Sequence, residues 1–287
     1  MTVVALFAFI GSANAHRPVF KVAALGHGIT LHYAQEGAGR PVVFVHGSLT
    51  DYRYWAPEVD AFSKHYRAIA YSRRYNVPNH NPAIAGYSAV TDADDLAAFI
   101  RALGLRHVEV IGHSYGALTA LFLALRHPEL IDKLVLTEPP AVSLLKGTPM
   151  YGDIQRRMVL PMQRAFRSGH REAGVAIFID YVFGNPHAWD EMSEEDREST
   201  MQDAHEWDVM MTRGTLFPQI TPAQVRSIQV PTLILTGAKT YPFLNVIDGD
   251  LARLLPHGRQ VFFAHSGHQM WYQQARDCRE AVEAFLQ

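Results

Sequence analysis

A single cysteine, Cys278, stands among the 287 residues, so no disulfide closes within the chain and no cysteine set for zinc can assemble. The 15 histidines offer no substitute, because none form an H-x-x-x-H pair bracketing a glutamate in the metalloprotease manner. No metal or other cofactor is expected. Charge of one sign is equally scarce: 26 Lys and Arg against 28 Asp and Glu leave a formal net charge of -2. Such a chain has no long-range field to draw nucleic acid or an anionic membrane. Long apolar runs are missing too. The one near a terminus, residues 3–10, falls well short of the roughly 20 residues a membrane span needs. Internal repeats and low-complexity stretches are also absent, so solenoids and disordered arrays are excluded.

What remains is 48% hydrophobic and 19% charged, enough to bury one large core or a core carrying an insertion. A small neutral ligand suits this balance. The run at 3–10 is followed by small residues ending Ala13-Asn14-Ala15, the A-x-A form of a signal-peptidase site, although a positively charged start is lacking. Residues 1–15 are therefore expected to be a signal peptide and the chain from His16 to be secreted or periplasmic, with cytoplasmic residence as the alternative.

Short β-branched or apolar runs recur at 20–25, 29–34, 41–45, 66–71, 108–111, 134–137, 232–235 and 260–263, and they read as eight strands. Helical spacing of apolar residues occupies 92–103, 115–126, 244–255 and 270–286, with Cys278 an ordinary residue of the last. The first two strands, joined by Gly26-His27-Gly28, predict an edge hairpin. The alternation beyond them predicts an α/β fold: a mostly parallel eight-stranded sheet with helices on both faces. Between 139 and 228 the alternation stops and Met- and aromatic-rich helical sequence takes over. This predicts a helical cap inserted before the last two strands, over a core of residues 16–138 and 229–287, at the sheet edge where such folds bind ligands.

Gly112-His113-Ser114-Tyr115-Gly116 follows an apolar strand and opens a helix of small residues, the setting a nucleophile elbow requires. The flanking glycines let neighbouring backbones pass close while Ser114 is held at the tip of a sharp turn. A serine hydroxyl needs a base, and Ala264-His265-Ser266-Gly267-His268 offers two at the end of the last strand. His268, just before the final helix, is preferred to His265. Backbone N–H groups of Tyr115 and Ser48, the latter in His46-Gly47-Ser48-Leu49, are the expected oxyanion donors, with His46 stabilising the turn.

With these motifs in view, the sequence resembles the α/β-hydrolase family of esterases and related enzymes over nearly all of the chain after residue 20. The resemblance carries an order of nucleophile, acid and histidine, and in many members the acid is an Asp after the strand that follows the cap. Thr240 stands at that place here and cannot supply an anion. A second family location, the end of the strand before the cap, is occupied by Glu138, which becomes the expected acid, with Asp248 and Asp250 as fallbacks. A serine nucleophile argues against epoxide opening and dehalogenation. The implied reaction is hydrolysis of an ester or lactone of an apolar small molecule through an acyl-enzyme. An amidase, a carbon–carbon bond hydrolase and a non-catalytic binding protein of the same fold remain as alternatives.

The insertion supplies Met150, Met158, Met162, Tyr181, Phe183, Trp189, Trp207, Met210, Met211 and Phe217. Of these, Trp189, Trp207, Met162 and Met211 are taken as substrate-binding, although such residues also build plain core. Arg73 and Arg74 are expected to tie down a loop, with Asp94 or Asp95 as partners. Oligomeric state is not legible.

Overall fold

The computed structural model describes residues 19–287; the expected signal peptide lies outside the described residues. Eight strands form one sheet in the order β1-β2-β4-β3-β5-β6-β7-β8. The edge hairpin pairs β1 (Val19–Gly26) with β2 (Ile29–Glu36) antiparallel, and β2 meets β4 (Arg67–Tyr71) antiparallel. From β4 onward the neighbours β3 (Pro41–Val45), β5 (Val108–His113), β6 (Ile131–Thr137), β7 (Thr232–Gly237) and β8 (Gly258–Phe263) all run parallel. This is the expected mostly parallel α/β sheet.

Strand side chains alternate between two apolar layers because successive residues point to opposite faces. Val43, Val45, Ile69, Val110, Leu134, Leu136 and Ile234 pack on one face with α2 (Ala89–Ala102), α3 (Tyr115–Arg126) and α10 (Pro242–Leu254). Val42, Phe44, Ala68, Ala70, Ile111, Val135, Leu233 and Leu235 pack on the other with α1 (Ala56–Phe62) and α12 (Ala275–Leu286). Cys278 belongs to the second layer, where burial pushes its thiol up to about 12. A thiol held in that state is a core residue and a poor nucleophile.

One helix expected over 270–286 is two, α11 (Met270–Gln273) and α12, broken at Gln274 with φ -137°. The break has a use: Gln274 Oε1 accepts hydrogen bonds from Ser266 Oγ (2.6 Å) and the His265 N–H (3.3 Å), which anchors the loop after β8. Helical periodicity alone does not register a residue that leaves the helix to hold its neighbour.

Between β6 and β7 lie α4 (Pro149–Ile154), a π-helical turn (Gln155–Val159), α5 (Leu160–Arg167), α6 (Arg171–Phe183), α7 (Glu194–Gln202), α8 (Ala204–Arg213) and α9 (Pro222–Ser227). Their apolar residues, among them Met158, Met162, Phe166, Trp207, Met210 and Met211, are continuous with the first layer of the core, as is Trp189 between α6 and α7. Among the described residues no helix is long and apolar enough to cross a membrane.

Candidate active site

The carboxyl ends of β3, β4, β5, β6, β7 and β8 all lead into loops on one edge of the sheet, and the residues singled out from sequence stand on those loops. Ser114 directly follows β5 with φ 53° and ψ -123°, and Glu138 directly follows β6 with φ 50°. Leu49, in the loop after β3, has φ 56°. Left-handed backbone is costly for residues with a Cβ, so its appearance on three loops of one edge marks strain held by surrounding structure.

The geometry of Gly112 and Gly116 explains how the tight turn at Ser114 is possible. A Cβ on Gly116 would lie 2.2 Å from the Val45 carbonyl oxygen and 2.4 Å from that of His46. One on Gly112 would meet Ala117 Cα at 2.6 Å. Helix α3 can therefore start directly against the end of β3 only if both positions lack side chains. Gly116→Ala is expected to cost about 3 kcal/mol, the upper range for overpacking, because the obstacle is backbone and cannot swing aside. Thermal and urea denaturation against wild type would measure it.

Glu138 is wholly buried and receives three donors. Its Oε1 accepts the Gly237 N–H at 2.8 Å, and its Oε2 accepts Thr240 Oγ at 2.6 Å and lies 2.5 Å from His268 Nδ1. Thr240, which stands where the resemblance led us to expect an acid, donates to the acid that is present. Asp248 and Asp250 are not brought to His268: Asp248 accepts from Thr236 Oγ at 2.6 Å, and Asp250 pairs with Arg253. Burial, with the Glu138 carboxylate second, raises Asp248 well above its ordinary value. His265 is exposed and lies outside the cavity that holds Ser114.

That cavity, of about 40 Å³, is lined by Ser48, Ser114, Tyr115, Tyr241, Phe243, Leu244 and His268 from the core and by Pro140, Met158, Phe178, Val182, Trp207, Leu216 and Phe217 from the insertion. Of the four side chains expected to bind substrate, Trp207 lines it. Trp189, Met162 and Met211 do not: they are buried within the packing of the insertion, and the Trp189 ring nitrogen donates to Glu172 at 3.3 Å. A helix buried on more than one side gives the same Met and aromatic pattern to core and cavity, so composition could not separate them.

Two histidines that hold the site had little or no sequence signal. His113 Nε2–H donates to the His268 carbonyl at 2.9 Å, and its ring stacks on Tyr54 at 5.1 Å and 6°, so it fixes the loop carrying His268. His46 accepts the Arg73 N–H on Nε2 at 3.0 Å, which leaves Nδ1–H to donate to the Gly47 carbonyl at 2.8 Å. Burial holds both rings well below the usual histidine range and therefore neutral, with Arg73 a second cause at His46 and His268 at His113.

Arg73, with no exposed surface, joins these loops to the insertion. Its Nε and Nη2 donate to the His46 and Gly47 carbonyls at 3.2 and 3.0 Å, and its Nη1 reaches Asp92 at 2.8 Å and Glu206 of α8 at 2.5 Å. Its guanidinium also lies over the Tyr115 ring, 5.0 Å from the centroid. Arg74 pairs with Asp95, as expected, whereas Asp94 pairs with Arg126. Asp203, just before α8, accepts the Val77 N–H at 2.7 Å.

Burial, followed by the Asp51 carboxylate, raises Asp203 from its ordinary 3.8 to about 7. The folded protein thus holds this proton more tightly than the unfolded chain does. The stability it contributes is complete below about 3.8 and is lost as the pH rises through about 7. Asp203→Asn, which keeps the acceptor for Val77, is expected to lose less stability than wild type between pH 5 and pH 8. Urea denaturation at several pH values checks this, and equal slopes would refute it.

Comparison with known proteins agrees with this architecture. Residues 40–167 match the family model of the alpha/beta hydrolase fold. The (E)-2-((N-methylformamido)methylene)succinate hydrolase of Acinetobacter baylyi is 23% identical, over 94% of this chain and 98% of its own. The 2-hydroxy-6-oxo-6-(2'-aminophenyl)hexa-2,4-dienoic acid hydrolase of Metapseudomonas resinovorans is 25% identical, over 90% and 88%. Among solved structures, the enol-lactonase of Burkholderia xenovorans superposes with a TM-score of 0.73 at 23% identity, covering 92% of this chain and 99% of that one. The chain has the α/β-hydrolase fold. Its curated relatives are hydrolases, and it is an enzyme of that class.

Proposed function

We propose that the protein hydrolyses a carboxylic ester or lactone of an apolar small molecule by acyl transfer through Ser114. The observation that carries this reading is the buried Glu138 carboxylate 2.5 Å from His268 Nδ1, with His268 and Ser114 facing one apolar cavity. An anion on Nδ1 keeps that nitrogen protonated and leaves Nε2 as the base. His268 takes the Ser114 proton as the hydroxyl oxygen attacks the carbonyl carbon. The N–H groups of Tyr115 and Ser48 receive the oxyanion. The leaving alkoxide departs with the proton held by His268, and the same ring then deprotonates water to release the acid and restore Ser114.

The cavity wall supports an apolar substrate, since Met158, Phe178, Val182, Leu216, Phe217, Phe243 and Leu244 offer it no charge. The helical insertion between β6 and β7 supports a core of residues 16–138 and 229–287 with a cap at 139–228. Export remains attached to the signal motif at Ala13-Asn14-Ala15.

The test is the pre-steady-state release of p-nitrophenol from a panel of p-nitrophenyl esters, with intact mass measured on the quenched enzyme. A burst of one equivalent and an acyl adduct in wild type, both lost in Ser114→Ala, are the expected results. Hydrolysis that survives Ser114→Ala would overturn the mechanism. Turnover of p-nitroanilides in preference to matched esters would move the reading to amide hydrolysis.

A further inference from the structure

Trp207 presents an indole N–H that the protein leaves without a partner. The residue is 1% exposed, and its Nε1 is buried with no hydrogen bond. The ring is held in place, edge-on to Phe178 at 4.5 Å and 89° and near Phe166 at 6.4 Å. Other buried tryptophans make the bond: Trp189 donates to Glu172 at 3.3 Å and Trp271 to Thr137 at 3.0 Å. Trp55 lacks one as well, but it lies in the second apolar layer, away from the cavity. Only Trp207 combines an unpartnered indole with a place on the wall of the cavity that holds Ser114.

The rest of the wall sharpens the point. The other residues the insertion contributes are Pro140, Met158, Phe178, Val182, Leu216 and Phe217, none with an N–H or O–H on its side chain. Conventional donors and acceptors otherwise sit at the reacting end and beside it, on Ser48, Ser114, Tyr115, Tyr241 and His268. Leaving a buried donor unsatisfied costs roughly 1–3 kcal/mol, and an oxygen brought in by a ligand removes that cost. The acyl group is the part of an ester that stays beside Ser114 through both half-reactions, so a contact to it acts on both.

We infer that Trp207 is a specificity residue whose Nε1–H donates to a second acceptor oxygen in the acyl portion of the substrate. The preferred substrates are then oxo-acyl or ether-bearing esters and lactones rather than plain alkanoates. The inference rests on the acyl-transfer reading above and adds a substrate class to it.

The experiment compares p-nitrophenyl hexanoate with its 4-oxo and 5-oxo derivatives and with the corresponding methylidene derivatives, which keep the shape and lack the acceptor. Each rate is normalised to alkaline hydrolysis of the same ester. In wild type, one oxo ester is expected to exceed both hexanoate and its methylidene isostere by about three- to tenfold in kcat/KM, the size of one neutral hydrogen bond. In Trp207→Phe that ratio falls to about 1, whatever the absolute rates. Equal treatment of oxo and methylidene esters by wild type overturns the inference even if the variant does not fold. A preference that survives in folded Trp207→Phe assigns the contact elsewhere and overturns it too. Turnover of the plain ester without oxo preference leaves acyl transfer standing, whereas no turnover of any ester sinks both.

Discussion

Glu138→Gln is expected to lower kcat for ester hydrolysis by about 10⁴-fold, the scale set when a triad carboxylate becomes an amide. The reason lies in the donors that converge on this group. The Gly237 N–H, Thr240 Oγ–H and His268 Nδ1–H all point to Glu138 oxygens. A glutamine presents one acceptor oxygen and one NH₂ to the same three groups. Whichever way the amide turns, a donor meets a donor. The imidazole can relieve that clash by moving its proton to Nε2, which removes the base from Ser114. Labelling of Ser114 by a fluorophosphonate should slow in parallel, since it needs the same proton transfer. Thr240→Val removes one donor and leaves the anion. A hydrogen bond to a charged group contributes roughly 1.5–3 kcal/mol, so that variant should lose about ten- to hundredfold. Retention of activity within tenfold by Glu138→Gln would place the acid elsewhere.

Arg73→Met should destabilise the fold by about 3–5 kcal/mol, the cost of removing one partner from a buried ionic group. Its side chain is wholly buried between Asp92 and Glu206, neither of which has access to water. Tyr87 donates to Asp92 at 2.9 Å and Asn76 to Glu206 at 2.9 Å, so the carboxylates keep some support. Asp92, already raised to about 7 by burial against the opposing pull of Arg73, would take up a proton in the variant. Against a typical total of 5–15 kcal/mol the loss is large. The double variant Arg73→Met/Glu206→Gln should be more stable than Arg73→Met alone, because it removes one stranded charge. Urea denaturation of the set decides this, and additive losses would show that the groups are not coupled. The same arginine holds the His46 and Gly47 carbonyls beside Ser48, so whatever folded protein remains should also be slower, by up to the 10²–10³-fold of a lost oxyanion donor.

Much of the fold was legible because its signals are local. Apolar runs of 4–8 residues alternating with helical spacing specify strands and helices, and the strand-to-helix setting of Gly112 to Gly116 marked Ser114. The same reading extended a single helix over 270–286, where Gln274 turns out of the helix to hold Ser266. It also sorted four insertion side chains together, of which Trp207 alone faces the cavity. Burial and cavity-lining look alike in sequence because both select apolar side chains. The difference depends on which face of a packed helix meets empty space.

By itself the sequence determined the sheet, the position of the elbow and the histidine at the end of β8, since short-range sterics and hydrophobic period dictate each. It also showed that Thr240 could not be an anion and that Glu138 was available. Only the tertiary structure decided that Thr240 donates to Glu138, that His113 braces the His268 loop and that Arg73 links that edge of the sheet to Glu206. Those pairings join residues more than 100 positions apart, and what sets them is the convergence of strand ends in space.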